Sequence, residues 1–406
     1  MDATLDENIA NRFFTVRMLT MGSDGSVSVS NYYLQQISLQ GRKPCSRLTF
    51  SCMRDVRVSG VRGKPTMYVL AWLVCWVVVG TKIVHAEHGS GSATPYALEP
   101  IQPIATPSPF SALERAKIAL GRKLFADPRL SSNNQFACTN CHRLNHAGAD
   151  IVPLSTQPTG GLTDVNTPSI FNVSLNFRLF WDGSIMSLES HIRQPNLKDS
   201  ATLWVEVLEK LTKDESVRSE FFAIYSQGIS ITNIQDAIVA YERSLITPNS
   251  AFDRFLRGDH NAISAQAEQG YELFKSYGCV ACHQGANVGG NMFQKFGVMG
   301  DYFADRGEVR PSDLGRFNVT GRDEDRYVFR VPSLRLVVLT APYLHDGRAK
   351  TLRDAIQVMA TYQLGRDIPK QDIELIIEFL KTLPGEYEDR PFTSTPRVSS
   401  VEAARL

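Results

Sequence analysis

"CTNCH" (138–142) and "CVACH" (279–283) are the stretches on which the reading of this chain turns. In each, a Cys-x-x-Cys pair is followed at once by a histidine. Two thiols so placed add to the vinyl groups of a porphyrin, and the adjacent imidazole reaches the iron from the same turn of chain. A zinc site would need further ligands near these pairs, and His146 is the only extra candidate. One such motif fits a redox disulfide as well. Two of them point to two covalently bound haem c groups. Cys138 and Cys141 would hold the first, with His142 on the iron. Cys279 and Cys282 would hold the second, with His283 on the iron.

Working outward, the surroundings of the two motifs repeat. "LGRKLFADPRL" (120–130) leads to the first and "GYELFKSYG" (270–278) to the second. Each half closes on a segment whose apolar residues recur at i, i+3, i+4 and i+7, "ITNIQDAIVAYERSL" (231–245) and "QDIELIIEFLKTL" (371–383). The pattern predicts a mainly α fold: two c-type cytochrome-like helical domains, each with one covalent haem, and few short strands. The domains span 111–247 and 262–384 and are joined through 248–261. "YVFRV" (327–331) and "LRLVVL" (334–339) are the segments expected to pair briefly as strands. Residues 87–110, rich in Pro, Ser, Gly and Ala, read as a linker or arm, and 385–406 as a loose tail.

The chain has 406 residues, 43% hydrophobic and 21% charged, with a formal net charge of +1. That length allows two or three domains, and so even a charge gives no electrostatic case for nucleic acid or an anionic membrane. Residues 68–80, "YVLAWLVCWVVVG", are an unbroken apolar run, short of the about 20 residues a membrane-spanning helix needs. With Arg54, Arg57, Arg62 and Lys64 ahead of it and "VHA" (84–86) behind, it has the form of a secretory signal peptide over 53–86. Residues 1–52 then read as an over-extended start or a disordered leader, with translation beginning at Met53 or Met67. The expected location is the periplasm, where haem c attachment also belongs. An uncleaved anchor facing the periplasm is the alternative.

The sixth iron position decides what each haem does: a strong ligand gives electron transfer, an open position binds peroxide. In the second half the methionines are Met292, Met299 and Met359. Met359 lies far along, just before the closing helix, where small c-type cytochromes carry their ligand. Packing beside Ile356 is its other reading. In the first half only Met186, His146 and His191 are available. His146 is four residues from His142 and stays on that side. Either Met186 or His191 approaches the opposite face, or neither does, and the first haem is left as the reactive centre.

From about 111 to 384 the chain resembles the bacterial di-haem cytochrome c peroxidases and their MauG-type relatives. The resemblance rests on "LGRKLFADPRLS", "CTNCH", "VNTPSIFN", "FWDG", "AYERSLITPNSAFDRFLRGD", "GCVACHQGANVGGNMFQKFG", "FRVPSLR", "LTAPYLHDG" and "VMATYQLGR", in the family's order. It implies a peroxidatic N-terminal haem and a C-terminal haem that takes electrons from a small donor, a cytochrome c or a cupredoxin. Met359 in "VMATYQLG" matches the axial methionine of the electron-transferring haem. Trp181 in "FWDG" matches the tryptophan between the haems, with a core aromatic as the other reading. Asn166, with the backbone carbonyls of Thr340 and Pro342, matches an inter-domain calcium site of hard oxygen ligands. Members are commonly homodimers.

The departures from the family are also informative. Many members close the resting peroxidatic haem with a loop histidine, but "PLSTQPTGGLTD" here has none and offers Gln157 and Pro158 instead. The distal glutamine ten residues after the tryptophan is replaced by His191. The family's acid–base glutamate is absent from "NLKDSATLWVE", where Lys198, Asp199 or Ala201 stands near its place. Asp199 or Glu206 substitutes only if the loop is rebuilt. Peroxide cleavage needs a group that takes a proton and returns it, which histidine does near neutral pH. His191 therefore reads as a replacement catalyst, as an iron ligand, or as a pocket residue. The expected activity is reduction of hydrogen peroxide to water. The rivals are a MauG-like oxidation of residues in a partner protein, and a non-catalytic di-haem electron carrier.

Overall fold

The computed structural model describes residues 13–21, 27–35, 50–52, 56–57, 98–158, 160–193 and 200–392. Residues 1–91 and 92–406 form separate units. In the first, β1 (Phe13–Met21) pairs antiparallel with β2 (Val27–Gln35), and β3 (Phe50–Cys52) and β4 (Val56–Arg57) add to β2. Sequence pattern alone does not anticipate this hairpin. The apolar run 68–80 expected as a signal lies outside the described residues. Among the described residues no helix is long and apolar enough to cross a membrane.

The second unit is helical and carries the repeat seen in the sequence. Its helices are α1 (Ala112–Phe125), α2 (Leu188–Arg193), α3 (Ser200–Thr212), α4 (Glu215–Ile224), α5 (Ile231–Ser244), α6 (Ala251–Leu256) and α7 (Ala265–Ser276), then the short α8 (Tyr302–Arg306) and α9 (Phe317–Thr320), α10 (Leu352–Val358) and α11 (Lys370–Leu380). Ser111 and Glu114 form a reciprocal cap on α1, which satisfies two amides that would otherwise be orphaned. Ser230, Ser250, Ser264 and Thr351 each cap a later helix.

The opening and closing helices of each half cross at a glycine. A Cβ on Gly121 would lie 1.9 Å from the Ala237 carbonyl oxygen, and one on Gly270 would lie 1.9 Å from that of Leu375. Only glycine lets the backbones approach so closely. The shared run Gly-x-x-Leu-Phe (121–125 and 270–274) is thus the mark of one crossing used twice. Phe125 then packs edge-on against Tyr241 of α5, and Phe274 packs at a tilt against Phe379 of α11. Leu120, Leu124, Phe221, Ile234 and Ile238 fill the first core, and Phe252, Tyr271, Ile376 and Leu383 the second. Each such buried side chain contributes about 1.5–3 kcal/mol.

Three segments depart from the sequence expectation. Residues 327–331 and 334–339 do not pair with each other. Val328–Arg330 pairs instead with Phe293–Lys295. Pro332 interrupts the run, and Arg335 is drawn into a fully buried ion pair with Asp253 at 2.7 Å. The arm has its own place: Ile101 and Ile104 are buried, and Gly285 donates to the Pro100 carbonyl at 2.9 Å. The tail is not loose as far as residue 392. Glu386–Tyr387 pairs with Arg390–Pro391. Tyr387 and Phe392 pack on Phe171 of the first half, at 5.1 and 4.7 Å between ring centres.

Candidate active site

Both CxxCH motifs take the same shape. Each begins with a tight turn, Cys138–Asn140 or Cys279–Ala281. The histidine amides then donate back to the leading cysteine carbonyls, His142 to Cys138 at 2.9 Å and His283 to Cys279 at 3.0 Å. No disulfide joins the cysteines of either pair. Burial pushes the Cys138 thiol up to about 12 and the Cys279 thiol up to about 11. A redox-active pair instead carries a thiol of lowered pKa, so the burial argues against a disulfide role.

The two histidines have the form of metal ligands. His142 Nδ1 lies 3.1 Å from the Gly148 carbonyl. A carbonyl only accepts, so Nδ1 carries the proton and Nε2 keeps its lone pair for a metal. His283 Nδ1 is buried, and the Val288 and Pro332 carbonyls near it favour the protonated ring without reaching good hydrogen-bond geometry. Burial pushes His283 down to about 4 and also lowers His142. Each ring is thus neutral at pH 7, as a ligand must be.

A cavity of about 270 Å³ opens over the second motif, and Cys279, Cys282, His283 and Met359 all line it. Met359 begins a wider π turn, Met359–Leu364, that continues α10. Such turns re-aim a side chain at functional positions. Of the other two methionines, Met299 is exposed, and neither it nor Met292 lines the cavity. Trp181 lies on the same wall, with its indole N–H donating to the Asn166 carbonyl at 2.9 Å. Two cysteines, a neutral imidazole and a methionine around one largely apolar void fit a haem c.

In the first half, Met186 is 66% exposed and so is not packed in a buried site. His191 sits on α2, edge-on to Phe180 at 5.2 Å. Burial pushes its imidazole down to about 4, and the nearby His142 adds to this. The structure therefore brings His191 towards His142. Gln157 does not reach into the site: its amide donates to the Leu162 carbonyl of its own loop at 2.7 Å. Residues 194–199, where the missing glutamate would stand, lie outside the described residues, so Asp199 does too. Glu206 is on α3 and half-buried. His146 Nε2 lies 3.2 Å from the Ala341 carbonyl, a contact between the two halves.

Sequence reasoning missed a buried carboxyl. Glu242 of α5 is 3% exposed, and its Oε2 has no hydrogen-bond partner. Burial pushes its pKa up to about 8, with Glu189 adding to the effect. It lies near enough to Cys138 to help raise that thiol. The helical period of 231–245 did place it one turn from the core residue Ile238, which was the available signal. No reading of the sequence assigned a role to His345. Its ring lies 6.4 Å from that of Trp181, and its Nε2 bonds Asp313 at 2.7 Å. Arg306 pairs with both Asp313 and Asp346, and Arg348 also pairs with Asp346 at 3.3 Å.

Asn166, Thr340 and Pro342 line the same cavity as Trp181. Asn166 spends its amide nitrogen on the Val152 and Pro153 carbonyls, at 3.3 and 3.1 Å.

Comparison with known proteins agrees with this geometry. Residues 115–261 match the model of the family described as di-haem cytochrome c peroxidase. The chain is 38% identical to the cytochrome c peroxidase Ccp of Escherichia coli over 328 residues, covering 80% of this chain and 69% of that protein. It is 40% identical to the cytochrome c551 peroxidase of Nitrosomonas europaea, covering 72% and 86%. A crystal structure of a MauG-like protein associated with microbial copper homeostasis superposes with a TM-score of 0.62 at 27% identity, over 70% of this chain and 93% of that one. The chain belongs to the di-haem cytochrome c peroxidase family and is a haem peroxidase.

Proposed function

We propose that Cys138, Cys141 and His142 hold the peroxidatic haem, and that Cys279, Cys282, His283 and Met359 hold the haem that takes electrons from a small periplasmic cytochrome c or cupredoxin. When bound, these groups supply the two electrons that, with two protons, convert hydrogen peroxide to two waters. The observation that carries the division is the shared cavity of His283 and Met359, set against the absence of any methionine facing His142 among the described residues.

His191 supplies the proton traffic. With its pKa near 4 it is a neutral imidazole at pH 7, free to accept the proton of one peroxide oxygen and return it to the departing one. Trp181 fills the apolar wall between the halves. Its indole is held by the Asn166 carbonyl and gives a short path for electrons. Asn166 and the carbonyls of Thr340 and Pro342 suit a calcium ion that ties the halves together. Export to the periplasm agrees with two covalent haem c motifs.

The MauG-like reading, oxidation of a partner protein, draws support from one observation. The loop from Thr156 to Leu162 closes on itself through Gln157 and has no histidine to gate the first haem. The test is the EPR spectrum of the oxidised protein, followed by peroxide turnover with reduced cytochrome c or cupredoxin. The expected result is a high-spin component and turnover with a small donor. Purely low-spin signals in both oxidised and half-reduced protein would overturn both readings. A high-spin signal without small-donor turnover would favour the MauG-like one.

A further inference from the structure

A guanidinium with no anion faces the second cavity. Arg330 ends the strand Val328–Arg330, is 4% exposed, and lines the cavity shared by His283 and Met359. Its Nε donates to the Phe180 carbonyl at 3.0 Å and its Nη1 to the Val331 carbonyl at 3.4 Å. Its backbone N–H donates to the Trp181 carbonyl at 2.8 Å. All three acceptors are neutral. Among the described residues no carboxylate pairs with Arg330, and its Nη2 makes no hydrogen bond. The two other buried arginines are treated differently: Arg306 pairs with Asp313 and Asp346, and Arg335 with Asp253.

Burying a charge without a counter-charge is strongly unfavourable, and proteins almost always pair such groups. Burial accordingly drags the Arg330 pKa down to about 10, with no anion to oppose it. An arginine stays charged at that value, so the missing partner must come from what fills the cavity. A guanidinium fork matches a carboxylate in shape and charge.

We propose that Arg330 is the anion receptor of the second cavity and that its ligand is a propionate carboxylate of the haem held by Cys279 and Cys282. This rests on the haem reading of that cavity. The same side chain grips the Phe180 carbonyl, and its amide grips that of Trp181. Arg330 therefore ties the backbone that carries Trp181 to the charge balance of the second site. A fixed positive charge favours the reduced, less positive state of a nearby iron. The second haem is thereby easier to reduce than it would be with its propionate uncompensated.

The test is redox titration of the full-length holoprotein as wild type, Arg330→Gln and Arg330→Lys. Haem content is measured first on each. Arg330→Gln is expected to lower the midpoint potential of the His283/Met359 haem and to leave that of the His142 haem nearly in place. Arg330→Lys, which keeps the charge, restores most of the drop. Two haems per chain with an unchanged second potential in Arg330→Gln would overturn this inference alone. Wild type lacking the second haem would overturn the haem reading and this inference with it. If Arg330→Gln does not accumulate, the wild-type resonance Raman spectrum of the second haem decides. A propionate mode shifted by a strong hydrogen bond, and displaced in Arg330→Lys, supports the assignment. A free propionate mode overturns it.

Discussion

Replacing Glu242 by glutamine should make the protein more stable at high pH and leave it almost unchanged at low pH. The side chain is 3% exposed, with one oxygen lacking any hydrogen bond. Its pKa rises from 4.5 when free to about 8 when folded, mainly from burial and then from Glu189. A raised folded pKa means the folded protein holds the proton more tightly than the unfolded chain. The stability gained is complete below pH 4.5 and is lost as pH climbs through about 8. A tenfold change in proton affinity corresponds to about 1.4 kcal/mol, so a few kcal/mol separate the two ends of the window. Glutamine has nearly the same shape and no proton to lose. The assay is urea denaturation of the holoprotein at pH 5, 7 and 9, wild type against Glu242→Gln. The difference should be within about 1 kcal/mol at pH 5 and grow to a few kcal/mol in favour of the variant at pH 9. All other titrating groups are common to both chains and cancel. A difference that stays flat across this range would show that Glu242 is ionised, or solvated, in the folded protein, and the account of this buried wall would fail.

His191→Ala should reduce peroxide turnover by roughly 10²–10⁴, the range for removing a positioned acid–base group, while the potential of the second haem holds; unchanged turnover would refute its catalytic role. Met359→Leu should open the second haem, adding a high-spin EPR signal and lowering its potential; a spectrum like wild type would return Met359 to simple packing. Gly121→Ala and Gly270→Ala should each destabilise by about 1–3 kcal/mol or more from backbone overlap, overriding the gain of about 1 kcal/mol that alanine brings to a helix; measured by denaturation, a stabilised variant of either would refute the close crossing.

Local chemistry was legible in the sequence, and long-range placement was not. CxxCH is a contiguous turn, so its residues and its meaning come together in one short window. The place of Met359 before a periodic helix was also legible, and the structure sets it on the wall of the cavity that His283 lines. Gly121 and Gly270 were visible only as a repeat, since a close approach involves a second helix over 100 residues away. Arg330 sits in "FRVPSLR", where its neighbours give no sign that its fork will be buried without an anion. Glu242 lies in "AYERS" beside Arg243, which reads as an exposed charge pair. In the fold Arg243 turns instead to Glu189 of α2, and Glu242 is left alone. The strand expected at 334–339 failed for a similar reason, because the burial of Arg335 is set by Asp253 on another helix.

The two halves share one scaffold and differ in how they treat charge, and that difference bears on the direction of electron flow. Around His142, His191 has its pKa pushed down to about 4 and Glu242 has its pKa pushed up to about 8. At pH 7 both are uncharged. The first site thus sets two titratable side chains near His142, and the cation next to it in the chain, Arg143, is paired with the buried Asp150 at 3.1 Å. Around His283, the cavity wall carries Arg330, a group that keeps its charge at any physiological pH. A fixed cation favours electron arrival, and the first site sets a group that holds its proton at pH 7, Glu242, near one with an open lone pair, His191. Peroxide reduction needs both electrons and protons, delivered from opposite ends. Exchanging the two features, by placing an unpaired cation near His191 while neutralising Arg330, should therefore impair the enzyme more than either change alone. The new cation would oppose proton uptake by His191, and the lost one would remove the reason for electrons to enter at the second haem. Steady-state turnover of the single and double variants, fitted as a cycle, would test this. Simple additivity would show that the charge difference between the halves is incidental.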